Sequence, residues 1–509
     1  MVSGMVGCAG PRWSPSPPSF EVSIASITRR RFVRRAAIAA AALPLCLCKA
    51  PARSQPGSEA VAQTRAPLDA ASIQKLASQI AGHVLTPDSP EYEAARLTFN
   101  RAFDKRPALM VRCGRADDIA RALEFAQRHD LPLAVRGGGH NRAGLSICNG
   151  GVVIDLAAMS QIVVKPDTRV ARAEAGALTV HLDTATQRHG LATTLAGCPT
   201  AGIAGVTLGG GEGALMSKYG TACDNLISAR LVTVDGRQVE ASETSNPDLF
   251  WAIRGGGGNF GIATELEYRL HPVSDVLAGT VVYPAGQLPQ LLETFTRTLA
   301  SAPDELNLVG ILFASALGPR FQMIVCHCGD QRRGNELLGP LRALSPREDT
   351  VRVMSYLEAN ATINPAAPTS HFQTDLVLPE LNGDVIPTLT TAMDRAPLNA
   401  RVFIVGIYGA MTRIRVSDTA YPLRQPGYEL DIMARWDAAS DKEAAVRWVK
   451  ALRDKLRPMA RGAYVNQLGE TSEDLVRLAY GANYSRLVAI KKKYDPGNVL
   501  RSNQNILPA

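Results

Sequence analysis

Several common enzyme signatures are missing from this 509-residue chain. It has no G-x-S-x-G elbow, no Walker A loop and no H-E-x-x-H pair, so hydrolase, P-loop and zincin chemistry have no motif to rest on. Beyond residue 50 no stretch is long and apolar enough for a membrane helix, which argues against a stable membrane span. There is no internal repeat. Nor is there a real excess of positive charge. The formal net charge is +8, but residues 1–50 hold seven basic residues against Glu21 alone, leaving +2 for the rest. A value so near zero gives no support for nucleic-acid binding. Cysteine is too scattered for a disulfide framework: three of the nine (Cys8, Cys46, Cys48) lie in the first 50 residues. Cys326-His327-Cys328 sits in strand-like sequence, where alternating side chains would turn His327 away from both thiols, so no metal site is expected.

What is present begins with a targeting signal. Thr28-Arg29-Arg30-Arg31-Phe32-Val33-Arg34 resembles the twin-arginine export motif, and Ala36–Cys48 is a 13-residue apolar run suited to a signal core. Cleavage after Ala50 or Ala62 is expected, with the twin-arginine machinery as partner and the periplasm or exterior as destination. That route carries folded proteins, often with cofactor inserted, and so points toward a cofactor enzyme.

The remaining 46% hydrophobic chain is ample for more than one domain. A Pro/Ser/Gln-rich linker and a helix over Ser72–Ile80 precede an α/β pattern. Strands are expected at Ala108–Val111, Leu131–Val135, Val152–Ile154, Ile162–Val164, Leu226–Val234 and Ile262–Leu270. Helices are expected at Asp117–His129, Leu178–His189 and Pro247–Ile253, with a hairpin turn at Asp235-Gly236. From about residue 274 the glycine clusters stop. Strand-like runs at Leu308–Phe313, Phe321–Cys326, Arg401–Ile407 and Leu430–Trp436 alternate there with helices at Leu288–Leu299 and Lys442–Leu456. The tail returns to helix and then loop.

The chemistry-bearing features are glycine-rich. Arg136-Gly137-Gly138-Gly139-His140 follows a strand and suits close approach of backbone N–H groups to a phosphate, with a histidine at its end. Ala196-Gly197-Cys198-Pro199-Thr200-Ala201-Gly202 offers a thiol in a second such frame. Gly209-Gly210-Gly211-Glu212-Gly213 is dense enough to lie against a flat or phosphate-bearing ligand. Gly256–Gly261 matches G-x-G-x-x-G, but it follows a helix and precedes a strand. That order is the reverse of a dinucleotide fingerprint, so a nicotinamide site is rejected.

These stretches, with Lys218–Leu226, Asn246–Trp251, Tyr494–Val499 and Asn503–Ile506, resemble the berberine bridge enzyme-like oxidases, FAD flavoproteins of the vanillyl-alcohol oxidase type. The resemblance covers about 104–273 and 464–507. It implies an α+β fold: a two-lobed PCMH-type FAD-binding domain (104–273) and an α+β substrate domain with an antiparallel sheet (274–466). A C-terminal segment (467–509) would return to the first, with the signal at 1–50 and a linker and helix at 51–103. It implies FAD linked twice, through His140 and Cys198. It also assigns Arg136, Gly137, Gly138, Gly139, Asn141, Gly197, Thr200, Ala201, Gly202, Gly205, Gly209, Gly210, Asp224, Asn225, Ile262, Asn503 and Asn505 to the cofactor. Hydride would pass from a substrate C–H to the flavin while a base takes the hydroxyl proton. Tyr464, in Ala463-Tyr464-Val465-Asn466, is the first candidate base, and Asp418 the second. Gln467 stands where the family often has another aromatic. The residue three after the linked cysteine gates oxygen in the family. Its occupant here, Ala201, is small, so a small-molecule substrate and O2 with peroxide release are expected. The alternatives are a dehydrogenase using another acceptor and a flavin-binding carrier without catalysis.

Overall fold

In a computed structural model the described residues are 68–509, apart from 285, 363–366 and 382. The export signal and most of the linker lie outside the described residues. The chain enters through a helix at Ala70–Gln79, started by the Asp69 carboxylate accepting from the Ser72 N–H at 2.7 Å.

Two sheets form the glycine-rich half. In the first, β1 (His83–Leu85), β2 (Leu109–Arg112), β3 (Leu133–Arg136) and β4 (Val152–Asp155) lie in the order β1-β2-β4-β3. β4 runs parallel to both β2 and β3. The helix Ala116–Arg128 makes the parallel crossover, burying Ile119, Ala122, Leu123 and Ala126 on one face. The second sheet uses β5 (Ile162–Lys165) and β6 (Val170–Glu174). A two-residue strand, β7 (Leu191–Ala192), stands apart from it. The sheet is completed by β8 (Leu226–Val232), β9 (Gln238–Ser242) and β10 (Ile262–Arg269), in the order β5-β6-β10-β8-β9, while β7 pairs β11 (His271–Pro272). The Asp235-Gly236 turn closes β8 onto antiparallel β9, with Gly236 at φ 81°. One apolar core underlies this half. Leu500 and Ile506 of the tail join it, so the C-terminal segment returns to the glycine-rich half.

The second half is one eight-stranded sheet. Its members are β12 (Asp275–Tyr283), β13 (Leu306–Phe313), β14 (Arg320–His327), β15 (Glu348–Asp349), β16 (Arg352–Ser355), β17 (Ser370–Leu378), β18 (Ala400–Ile407) and β19 (Gly427–Trp436). The order is β15-β12-β14-β13-β18-β19-β17, with β16 also on β12. Every pairing is antiparallel. The expected strands are found here. β12, β15, β16 and β17 are additional, and β17 was hidden because Gln373 and Asp375 interrupt its apolar alternation. Successive side chains on β19 divide sharply. Leu430, Ile432 and Ala434 face the helices Leu288–Ala300, Val385–Asp394 and Lys442–Leu456 in a core of their own. Glu429 and Asp431 point to the opposite face.

Candidate active site

That opposite face closes a cavity of about 420 Å³ against the glycine-rich loops. One wall holds Gly137, Gly138, Gly139, His140, Asn141, Gly197, Cys198, Ala201, Gly202, Gly205, Ile262 and Asn503, all expected from the sequence. The loops touch each other directly. A Cβ on Gly138 would lie 2.3 Å from the Gly202 nitrogen and 2.8 Å from its Cα, so only two glycines permit this contact.

His140 stacks on Phe99 with ring centroids 4.1 Å apart. Burial, with Arg142 and Arg136 nearby, depresses its pKa to about 3, so the ring is neutral and a nitrogen lone pair is available. Thr200 joins the two candidate attachment residues: its hydroxyl is 3.0 Å from His140 Nε2 and 3.6 Å from Cys198 Sγ.

The wall also fits a polar cofactor. Ser146 Oγ, Asn503 Oδ1 and Gln504 Oε1 are buried without a hydrogen-bond partner, and all three residues line the cavity. With the two glycine loops, these orphaned atoms suit a large ligand rich in donors and acceptors, as FAD is.

Other expected cofactor residues stand elsewhere. Arg136 turns its guanidinium to the Ala95 carbonyl. Asp224 forms a bidentate pair with buried Arg424 at 2.6 and 2.8 Å. Asn225 donates to the Tyr219 and Thr221 carbonyls. Both therefore pin the loop before β8 rather than line the cavity. Asn505 is also outside the lining, with a buried, unpartnered Oδ1. Gly209 and Gly210 do not face the open cavity. Gly210, at φ 128°, makes room for the Tyr421 ring, and a Cβ on Gly209 would strike the Asn466 amide. Their glycines admit side chains from the other half, not a ligand.

The second wall carries the acid–base groups. Tyr464 is buried, and its hydroxyl oxygen accepts from the Gly211 N–H at 2.9 Å and from Asn466 Nδ2 at 3.0 Å. Burial and the nearby Glu212 nevertheless push the phenol well above its usual pKa. Both acceptor positions are occupied, so what the hydroxyl has left to offer is its proton.

Asp418 is not brought to the site. It lies on the surface, outside the cavity lining, and Arg415 holds its carboxyl below the usual range at 2.9 Å. The carboxylate that does line the cavity is Glu429, 1% exposed. Two further acids stand beside it: Glu212, which accepts from the Tyr421 hydroxyl, and Asp375, which accepts from the Tyr464 N–H. Burial, followed by repulsion from Glu212 and Asp375, holds Glu429 well above the ordinary carboxyl range. Its Oε2 has no partner. Glu429 and Asp431, alternating with Leu430 and Ile432, were the overlooked sequence signal: acids at period two inside a strand. Gln467 accepts from Arg142 Nε at 3.2 Å and from Gln373 Nε2 at 3.0 Å. Among the described residues no cluster of metal-ligating side chains exists and no helix is long and apolar enough to cross a membrane. The six described cysteines are all free.

Comparison with known proteins follows this geometry. Residues 107–242 match the FAD binding domain family, and residues 463–507 match the berberine and berberine-like family. The FAD-linked oxidoreductase YgaK of Bacillus subtilis, itself uncharacterised, is 30% identical over 442 residues, covering 85% of this chain and 98% of YgaK. The chain belongs to the berberine bridge enzyme-like FAD-linked oxidoreductases. Its (R)-6-hydroxynicotine oxidase relative from Paenarthrobacter nicotinovorans is 29% identical, covering 84% of this chain and 97% of the relative. The solved 6-hydroxy-D-nicotine oxidase from Arthrobacter nicotinovorans superposes with a TM-score of 0.78 at 28% identity, over 84% of this chain and 98% of that one. A variant of berberine bridge enzyme bound to (S)-reticuline shares the fold, with a TM-score of 0.77 at 21% identity, over 86% of this chain and 98% of that one. The α+β architecture and the FAD-linked oxidoreductase class expected from the sequence thus hold.

Proposed function

We propose that this FAD enzyme oxidises an alcohol C–H at the cavity, with the cofactor tied to both His140 and Cys198 and O2 as the acceptor. The observation that carries the reading is Glu429. It is a buried carboxyl with one unpartnered oxygen in a cavity whose facing wall is the flavin family's glycine loops. The bound flavin supplies a hydride acceptor. Glu429 takes the hydroxyl proton. Tyr464, its lone pairs held by Gly211 and Asn466, donates to the substrate oxygen and orients it. Burial raises the Glu429 pKa, so its carboxylate is a stronger base than an exposed one.

Support for double attachment is the neutral His140 ring and the exposed-side thiol of Cys198, both within reach of one hydroxyl, that of Thr200. Support for oxygen as acceptor is the small side chain of Ala201 in the lining. The twin arginines at 29 and 30 support export to the periplasm or beyond. Replacing both by Lys should retain the protein in the cytoplasm, and unchanged exported yield would refute that part.

The central test is anaerobic mixing with alcohols. The flavin band should bleach, and peroxide should form on admitting air. Flavin that stays oxidised with every alcohol would leave the carrier alternative. On acid precipitation the flavin should stay with the protein. His140→Ala and Cys198→Ala should each leave one link, and the double variant none.

A further inference from the structure

Backbone register places four cavity-lining residues in one row across the sheet. Ile324 on β14 is opposite Val309 on β13, Val309 is opposite Val405 on β18, and Val405 is opposite Glu429 on β19. At a strand spacing of about 4.8 Å the three apolar members cover about 10 Å, and the row ends at the reactive carboxyl. Phe403, two residues along β18 from Val405, widens the same apolar surface. Two residues along β13 from Val309, Asn307 also lines the cavity. It is 4% exposed, and its Nδ2 has no partner.

Apart from Tyr464, whose hydroxyl keeps its proton to offer, several polar groups near this wall are engaged. Asn360 donates to Asp183 at 2.7 Å, Asn466 to Tyr464 and the Val206 carbonyl, and Gln467 is held by Arg142 and Gln373. The orphaned Ser146, Asn503 and Gln504 belong to the glycine-loop wall that suits the cofactor. Among the described residues lining this sheet wall, the buried polar atoms without a partner are Glu429 Oε2, at one end of the row, and Asn307 Nδ2, two residues along β13 from Val309. A sugar carries hydroxyls all around its ring, and each one buried here without a partner costs free energy.

We propose that the substrate is a hydrophobic primary alcohol of about two fused rings, not a free sugar. Its body lies on Ile324, Val309 and Val405, its CH2OH reaches Glu429, and an oxygen on the ring edge over β13 meets the Asn307 amide. This rests on the oxidoreductase reading above, which assigns Glu429 to the hydroxyl.

The test uses the flavin-loaded protein. Under nitrogen, 2-naphthylmethanol and 6-hydroxy-2-naphthylmethanol are compared with glucose and cellobiose for bleaching of the flavin band. Binding is followed separately through the shift that 2-naphthaldehyde, the expected product, causes in the flavin spectrum. The naphthyl alcohols should bleach the flavin with a KM at least about tenfold below that of either sugar. Val309→Thr and Val405→Thr, nearly isosteric but polar, should each raise that KM about fivefold with little change in kcat. Asn307→Leu should abolish the preference for the 6-hydroxy compound over the unsubstituted alcohol. Faster bleaching by a sugar, or a KM indifferent to both threonine variants, overturns the proposal while the oxidoreductase reading stands. If the aldehyde binds, and binds more weakly to Val309→Thr, yet no alcohol bleaches the flavin, the wall is as proposed and the oxidoreductase reading has failed. No bleaching and no binding overturns both.

Discussion

The two walls of the cavity obey opposite construction rules. The glycine-loop wall is contiguous in sequence: Gly137 to Asn141 and Gly197 to Gly202 each supply several lining residues in a row. Its function needs backbone at close quarters, and close approach is encoded by glycine in short runs. The sheet wall is assembled from alternate residues of separate strands. Ile324, Val309, Val405 and Glu429 meet only because register aligns them. Tolerance to change should differ accordingly. The loop wall fails through sterics, the sheet wall through chemistry.

The largest effect is expected from Gly138→Ala. The new Cβ would meet backbone of Gly202 on a loop that cannot yield without moving Thr200 and Cys198. Overpacking of this kind costs about 1–3 kcal/mol, and flavin content of the purified protein should fall to near zero. Gly190→Ala is a control of the backbone kind, strained at φ 63° but with nothing within 4 Å, and should keep its flavin. If both load FAD normally, the loops are not in the contact described.

On the sheet wall, Glu429→Gln keeps shape and removes the base. Flavin reduction under nitrogen should slow by about 10²–10⁴-fold with flavin content unchanged. Asp418→Asn, an exposed carboxylate outside the cavity, should change the rate less than twofold, and a large loss there would restore it as the base.

The pH dependence separates the walls again. A base whose pKa is raised works only above that pKa, so kcat/KM should climb with pH along a limb set by Glu429. Glu212→Gln removes the repulsion that Glu212 exerts and should move that limb to lower pH. A limb that stays in place would mean that another group titrates.

Stability carries the same signature more faintly. Burial raises the Asp431 carboxyl to about 7. Its contribution is therefore fully present below the unfolded value near 4, and is lost as pH rises toward 7. The slope can reach about 1.4 kcal/mol per pH unit for one group. Urea midpoints measured at pH 5 and 7.5 should differ less in Asp431→Asn than in the natural chain. Equal differences would show that Asp431 ionises freely.

The smallest effect concerns oxygen. Ala201→Leu narrows the glycine-loop wall beside the cofactor's place and should slow reoxidation by air, about tenfold, without changing anaerobic reduction. Reoxidation that is slow already in the natural chain, and insensitive to the substitution, would favour a dehydrogenase.

The sequence by itself determined the flavin half. Runs of glycine with His140 and Cys198 are local, because a backbone that must touch a cofactor or another backbone cannot carry side chains there. It also determined two helices and four of the eight strands of the antiparallel sheet, through apolar spacing alone. Tertiary structure decided which carboxyl stands at the cavity. Asp418 and Glu429 are both acids beside plausible motifs. Only folding leaves the first in solvent beside Arg415 and buries the second among Glu212 and Asp375. It likewise turned Asp224, Asn225 and Gly210 from expected cofactor contacts into internal struts, because their partners, Arg424, His271 and Tyr421, stand 46 to 211 positions away and meet them only when the sheets close. Burial and strand register are properties of the whole chain, and no short stretch of residues encodes them.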